Sequence, residues 1–126
     1  MAASRKVPFP FVTDLLSPLN IVIKPMFGCH AIYLREKIMI ILRQRDDHED
    51  ANGIWMATST EHHATLKKEF PSMHSVFLLS DGKKETEWQM IPVEADDFES
   101  SAIRICEMIL KGDARVGKIP KARKKK

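Results

Sequence analysis

Between residues 21 and 57 the hydrophobic positions fall into short runs of the length of β-strands. The runs occupy residues 21–27, 31–34, 38–42 and 53–57 and are rich in β-branched and aromatic side chains. Only three residues separate the first run from the second and the second from the third, whereas a parallel crossover needs a dozen or more. The first three strands are therefore predicted to form an antiparallel meander. The polar segment 44–52 is predicted to connect the third strand to the fourth as a hairpin loop.

Three features of the meander indicate how the strands are arranged. The run 38–42 is apolar throughout, as expected of a central strand that is covered on both faces. Pro25 lacks an N–H donor and therefore suits an edge position or a bulge. Gly28 indicates a bulge or a tight turn in which the backbone takes a positive φ.

Helix signals precede and follow this strand pattern. Apolar residues between positions 9 and 16 predict a short helix that starts at Pro10, since proline is tolerated in a first helical turn. Thr58 and Glu61 have the spacing of a capping box and predict a helix that runs to Phe70. Residues 75–79 and 87–93 then predict two strands around an Asp-Gly turn, with one face of the second strand buried.

The last helix has the clearest amphipathic pattern in the chain. Asp96 and Glu99 repeat the spacing of a capping box at its start. Gly112 is placed to end it as a C-terminal cap. An apolar stripe runs along one side of the helix and comprises Phe98, Ala102, Ile105, Cys106, Ile109 and Leu110.

The predicted order of elements is α-β-β-β-β-α-β-β-α. Helices that cover an antiparallel sheet of about six strands make an α+β fold, a two-layer sandwich. At 126 residues the chain is long enough for one hydrophobic core. We expect a single domain over residues 1–112 and a basic, partly disordered C-terminal tail over residues 113–126.

The composition is that of an ordinary soluble globular protein, with 44% hydrophobic and 29% charged residues. The first residues lack the apolar core of a secretory signal, and no apolar run has the length of a membrane span. A cytoplasmic protein without membrane contact is therefore expected. Cys29 and Cys106 form no CxxC pair, so we expect reduced thiols rather than a disulfide or a structural zinc site.

Positive charge is concentrated at the C-terminus. The last sixteen residues hold eight Lys or Arg and one Asp, while acidic residues outnumber basic ones in the rest of the chain. Such a tail can bind nucleic-acid phosphates, although it lacks the aromatic side chains that would stack on bases. The other interpretation is a solvated, disordered end of which Val116 and Ile119 could hold the first part against the domain. The residues considered for nucleic-acid contact are Lys118, Lys121, Arg123, Lys124, Lys125 and Lys126.

Catalytic chemistry has one candidate, the thiol of Cys29 beside the imidazole of His30. Adjacent strand residues point to opposite faces of a sheet, so this adjacency favours a structural turn over a nucleophile. Cys106 falls on the apolar stripe of the last helix and is interpreted as a core residue. The acidic segment 46–50 lacks the residue order of a calcium loop. The five histidines lack the spacing of a zinc motif. These residues are His30, His48, His62, His63 and His74. No catalytic residue, metal site or cofactor is expected.

A short motif in the meander resembles that of a known family. Met26-Phe27-Gly28, followed by Ile32-Tyr33-Leu34 and Lys37-Ile38-Met39, is similar to the opening of the TfoX N-terminal domain family. In that family a Met-Phe-Gly-Gly turn leads through an aromatic strand to a Gly-Lys hairpin. Here Cys29 stands in place of the second glycine, and Arg35-Glu36 replaces the usual turn pair. The resemblance extends loosely over residues 22–110. The residues that carry the motif are Met26, Phe27, Gly28 and Tyr33.

The resemblance implies a two-layer α+β fold and a regulatory role, since the named members of the family (the TfoX/Sxy proteins) regulate bacterial natural competence rather than act as enzymes. We therefore expect a non-catalytic binding or regulatory domain with an unidentified protein partner, and leave open a homodimer and a role in transcription. A small nucleic-acid-binding module that uses the basic tail is the alternative. An enzyme is the third hypothesis and requires a pocket in which the side chains of Cys29 and His30 converge.

Overall fold

The computed structural model describes residues 7–26, 28–76 and 88–119. They form a six-stranded antiparallel sheet and three α-helices in the predicted order, so the chain has an α+β fold. The elements are α1 (Pro10–Leu15), β1 (Ile21–Met26), β2 (Cys29–Leu34), β3 (Lys37–Arg43), β4 (Gly53–Met56), α2 (His63–Glu69), β5 (His74–Ser75), β6 (Gln89–Pro92) and α3 (Phe98–Lys111).

The strands are arranged in the order β1-β2-β3-β4-β6-β5, and every neighbouring pair is antiparallel. β3 lies between β2 and β4 and is buried at every position except Lys37, which confirms the predicted central strand. β1 lies at one edge of the sheet and contains Pro25, as predicted. The missing N–H of this proline therefore interrupts no ladder in the middle of the sheet.

One face of the sheet packs against the helices and forms the larger hydrophobic core. The sheet contributes Ile32, Ile40, Leu42, Ile54, Met56 and Ile91 to this core. The predicted stripe of α3 is buried against it from Phe98 to Ile109, whereas Leu110, at the edge of the stripe, is exposed. Val12 of α1 and Leu66 of α2 join the same cluster. The helices therefore form one layer of the fold and the sheet forms the other.

The opposite face of the sheet carries a second, smaller apolar cluster. Its best-buried members include Ala31, Ile41, Trp55 and Met90, and the ring of Trp88 meets that of Trp55 edge-on at 6.4 Å. This cluster explains why β3 and β4 lack the alternation of a half-exposed strand. It also corrects the expectation that only one face of the strand after residue 87 would be buried, because β6 is buried on both faces as far as Ile91.

Neither predicted capping box forms, although both of the helices predicted from them are present. A 3₁₀ turn (Thr60–His62) precedes α2, and the hydroxyl of Thr58 is buried without a hydrogen-bond partner among the described residues. Asp97 rather than Asp96 precedes α3, and its carboxylate accepts a hydrogen bond from Ser72 at 2.8 Å. The turn before α2 and the contact made by Asp97 replace the reciprocal bonds of a capping box.

The end of α3 has the predicted glycine cap. Gly112 has a φ of 75°, and its N–H donates to the carbonyl of Ile109 at 3.1 Å. The N–H of Asp113 donates to the carbonyl of Met108 at 2.9 Å. These bonds satisfy carbonyls at the end of the helix and turn the chain back towards the sheet.

Residues 113–119, which we call the C-terminal strap, run along the domain beyond the predicted boundary at residue 112. Val116 is buried in the larger core, whereas Ile119 is 57% exposed, so of the two apolar residues only Val116 holds the strap in place. Lys118 pairs with Ile38 of β3, beside the point where β4 has ended. The guanidinium of Arg115 pairs with the carboxylates of Asp113 at 2.9 Å and Glu69 at 2.8 Å.

Candidate functional site

The β1–β2 hairpin contains the motif residues that the structure describes. Met26 ends β1, Gly28 lies in the turn and Tyr33 lies in β2, whereas Phe27 lies outside the described residues. Gly28 has a φ of 75°, as its position predicted. A side chain at position 28 would collide with the guanidinium of Arg45. Glycine therefore meets two requirements here, a left-handed backbone and the close approach of Arg45.

A buried arginine organises the loop beside this hairpin. Arg43, the last residue of β3, is only 3% exposed. It donates to the side-chain oxygen of Asn52 at 2.7 Å and to the carbonyl of His48 at 3.0 Å, and it forms an ion pair of 3.3 Å with Asp47. Asn52 also exchanges hydrogen bonds of 2.9 and 3.0 Å with the backbone of Arg45. These bonds satisfy the buried guanidinium and fix the acidic loop between β3 and β4.

Cys29 and His30 point to opposite faces of β2 because they are neighbours in a strand. Cys29 is buried with Trp55 on the face away from the helices, and His30 lines a cleft beside the hairpin. Burial raises the pKa of the Cys29 thiol, and the nearby guanidinium groups of Arg43 and Arg45 only partly offset this effect. The thiol is therefore protonated at neutral pH, and the imidazole points away from it.

The cleft beside the hairpin has a volume of about 740 Å³. Two of its charged lining residues are paired with each other: the Nε of Arg45 donates to the carboxylate of Asp47 at 2.9 Å. This hydrogen bond lowers the pKa of the Asp47 carboxyl. The arginine charge is thus matched by a carboxylate before any ligand arrives. The described lining consists of Val7, Pro8, Gly28, His30, Gln44, Arg45, Asp46 and Asp47.

The other residues considered for catalysis or metal binding are buried or paired with neighbouring side chains, or are not grouped to bind a metal ion. Cys106 is buried on α3, and burial raises its pKa to about 11. The imidazole of His62 lies 3.3 Å from the carboxylate of Glu61, in the 3₁₀ turn that precedes α2. Within residues 7–26, 28–76 and 88–119, no group of three His, Cys, Asp or Glu side chains is placed to hold a metal ion.

Of the six basic residues considered for nucleic-acid contact, the structure describes Lys118 alone. Its backbone exchanges two hydrogen bonds with Ile38, and its side chain is half-buried. The strap therefore incorporates the first of the six residues into the fold. The other five lie outside the described residues, and they are Lys121, Arg123, Lys124, Lys125 and Lys126.

The outer side of β1, which we call the β1 edge, is the most exposed part of the described sheet. Val22 is 48% exposed and Ile23 is 38% exposed. β1 pairs with β2, and no other strand in the described part of the chain lies against its outer side. The ammonium group of Lys24 lies 4.9 Å from the centre of the Tyr33 ring. The β1 edge thus combines an open row of backbone groups with two large apolar side chains.

The direction of the backbone polar groups in β1 follows from its pairing with β2. Met26 and Cys29 oppose each other across a connection of two residues, and a hairpin this tight is closed by a pair that exchanges both hydrogen bonds. Alternate residues of β1 therefore direct their polar groups outward, away from β2. These residues are Ile21, Ile23 and Pro25. Pro25 fits this set because the N–H that proline lacks would point away from β2, so its absence breaks no hydrogen bond between β1 and β2.

Sequence reasoning missed the Arg43 network and the apolar character of the β1 edge. The only signal for Arg43 is a charge directly after the apolar run 38–42, and Asn52 belongs to a polar loop without a motif. Val22 and Ile23 read as ordinary strand residues, because the pattern does not show which side chains the helices leave uncovered.

Comparison with known proteins identifies no relative of this chain. Searches against protein-family models, curated proteins and solved structures return no match for this chain. None of the helices in the described residues has the length and apolarity needed to cross a lipid bilayer. The resemblance to the TfoX N-terminal domain family therefore stays a prediction.

Proposed function

We propose that this chain is a non-catalytic binding domain that acts in regulation through protein–protein contacts, and that its binding surface is the β1 edge. The observation that carries the proposal is the exposure of Val22 and Ile23 on a strand whose outer side pairs with no other strand in the described part of the chain. The regulatory role, including a role in transcription, is what the resemblance to the TfoX N-terminal domain family implies. A cytosolic location accords with two buried cysteines that are not joined in a disulfide.

An open edge strand is a template for another chain, and folded proteins usually protect it with charge, proline or a covering segment. In β1 such protection is confined to Lys24 and Pro25, and the preceding residues 21–23 are all β-branched and apolar. An added strand would pair with the outward backbone groups and cover these side chains. Recognition by strand addition draws its affinity from main-chain hydrogen bonds and its specificity from alternate side chains.

The placement of the candidate nucleophile supports a non-catalytic function. The imidazole of His30 is on the opposite sheet face from the thiol of Cys29, so it cannot act as the general base for that thiol. The raised pKa of Cys29 further lowers its reactivity. Arg43 and Arg45, the cations whose charges act on the thiol, are already engaged with Asn52 and Asp47 in the loop between β3 and β4.

Two matched substitutions test whether the β1 edge binds a protein. Ile23→Lys places a charge on the edge, and Ile103→Lys makes the same change on α3, where Ile103 is 37% exposed. The wild-type chain and the Ile103→Lys variant are expected to capture the same partner, or a second copy, whereas Ile23→Lys is not. Circular dichroism establishes that both variants are folded. Capture that survives Ile23→Lys, or no capture by the wild-type chain, would contradict the proposal.

A small nucleic-acid-binding module is the second candidate, because most of the C-terminal positive charge follows the strap. Arg115 is paired with Asp113 and Glu69, so phosphate contact would fall mainly to residues 120–126. This proposal predicts affinity for oligonucleotides that falls steeply with salt and is lost when residues 121–126 are deleted. Equal binding by the truncated chain would reject a role for the tail.

A further inference from the structure

We infer that the β1 edge binds the β1 edge of a second copy of this chain, in an antiparallel register that places Val22 opposite Val22 of the second copy. The inference rests on the proposed function, because it names the partner of the same edge. Two six-stranded sheets would join into one continuous sheet. The twofold axis would run perpendicular to that sheet, so both helix layers would lie on the same side.

Hydrogen bonding favours this register. The outward N–H donors of β1 belong to Ile21 and Ile23, since Pro25 has none. With Val22 opposite its own copy, Ile21 faces Ile23 of the second copy and Ile23 faces Ile21. Each of these pairs exchanges two N–H to C=O bonds, so every outward N–H of β1 in both copies is satisfied. Pro25 lies beyond the paired residues.

Neighbouring symmetric registers are less favourable. A register centred on Ile23 would place Pro25 opposite Ile21 of the second copy and lose the hydrogen bond that proline cannot donate. A register centred on Lys24 would place two ammonium groups directly opposite each other, which is destabilising across a strand pair. The strand sequence therefore limits self-pairing to its first half.

Side-chain packing favours the same register. Val22 would contact Val22 of the second copy on one face of the sheet, in a pair without mutual hydrogen bonds whose side chains approach closely. Ile21 and Ile23 would pack across the two strands on the other face. These contacts cover the side chains that are 48% and 38% exposed in the single chain. Lys24 would lie opposite Asn20 of the second copy, so no like charges meet.

The charge pattern of β1 also fits a second copy better than a charged peptide. Lys24 is the only charged residue in β1, and its ammonium group lies over the ring of Tyr33 in its own sheet. No other charge on the strand would select an acidic or a basic partner. An identical strand supplies apolar side chains and outward donors at matching spacing.

Cysteine cross-linking in the full-length chain tests the register. In the inferred dimer the two Cα atoms at position 22 are about 4.5 Å apart, which suits a disulfide. Position 24 lies on the same face and is also exposed, but its two copies would be separated by four residues along the strand, about 13 Å. The native Cys29 and Cys106 are both buried, so they should contribute little cross-linking of their own.

Val22→Cys is expected to form a disulfide-linked dimer under mild oxidation about tenfold faster than Lys24→Cys, because only the first pair meets disulfide geometry. Faster cross-linking of Lys24→Cys, or equal and slow cross-linking of both variants, would overturn the inference. If Val22→Cys fails to cross-link while Ile23→Lys still abolishes capture of a different protein, the second copy is the wrong partner and the proposed function stands. If Ile23→Lys has no effect on any association, both fail.

Discussion

Lys118 and Ile38 exchange two backbone hydrogen bonds of 2.9 and 3.0 Å. This pairing lies beside the start of β3, where β4 has already ended at Met56, so the C-terminal strap takes the place of β4 along the sheet. The neighbouring Gly117 donates to the carbonyl of Ala57 at 2.8 Å. The strap is therefore hydrogen-bonded both to β3 and to the residue that follows β4, and it belongs to the folded domain.

The burial of the strap predicts a difference between its two apolar residues. Val116→Ala is expected to lower the free energy of unfolding by about 1–3 kcal/mol, because the side chain loses its contacts in the larger core. Ile119→Ala is the control and is expected to change it by less than about 0.5 kcal/mol, because Ile119 is largely exposed. Urea denaturation measures both values. Equal effects would mean that the strap is not anchored through Val116.

The ion pairs of the strap predict a pH dependence of stability. Hydrogen bonds from Arg115 lower the pKa of the Asp113 carboxyl from 3.8 to about 2. A carboxyl with a depressed pKa stabilises the folded state above its unfolded pKa, and this contribution is lost as the pH falls through the folded pKa. Between about pH 5 and pH 2 the wild-type chain should therefore lose more stability than Asp113→Asn. Denaturation curves at each pH provide the comparison, and parallel losses would contradict it.

The two glycines with a φ of 75° form a matched pair for substitution by alanine. At Gly112 no atom of the described residues lies within 4 Å of the new methyl group, so Gly112→Ala should cost only the left-handed backbone penalty, about 1–2 kcal/mol. Gly28→Ala should cost more, because the methyl group displaces the guanidinium of Arg45. In an Arg45→Ala background this excess should disappear. A double-mutant cycle from chemical denaturation measures the coupling, and an unchanged excess would exclude Arg45 as its cause.

The raised pKa values of both thiols predict low reactivity in the folded protein. Cys29 and Cys106 are buried, and burial is the largest cause of the shift in each case. An aromatic disulfide reagent at neutral pH should therefore modify neither residue in the native state and both in denaturant, because the thiolate is the reacting species. Rapid modification of Cys29 in the native protein would instead favour the catalytic hypothesis.

The order of the elements could be predicted because the strands and helices show the hydrophobic pattern typical of their type. The apolar run 38–42 and the stripe of α3 identified the central strand and the longest helix, and Pro25 indicated the edge. The capping boxes failed for a local reason. Residue types at a fixed spacing do not show whether a 3₁₀ turn will intervene, as it does between Thr58 and α2.

The candidate site was less predictable because it depends on what tertiary packing leaves uncovered. Val22 is no more hydrophobic than the buried residues of β3, and only its position on an edge strand exposes it. The bond between Arg43 and Asn52 joins residues nine apart across a loop, a separation that corresponds to no repeat or motif. Local pattern therefore indicates strands and helices, whereas the long-range pairing of strands determines the exposed edge and the buried network.

Residue-resolved amide hydrogen exchange over a range of protein concentrations tests most directly whether the β1 edge is an open binding surface. In dilute protein the outward amides of Ile21 and Ile23 should exchange fast, and the inward amides of Val22 and Lys24 should exchange slowly. As the concentration rises, Ile21 and Ile23 should become protected. Protection of Ile23 equal to that of Val22 in dilute protein would contradict an open β1 edge. Persistent fast exchange of Ile21 and Ile23 at every concentration would contradict the pairing of this edge with a second copy.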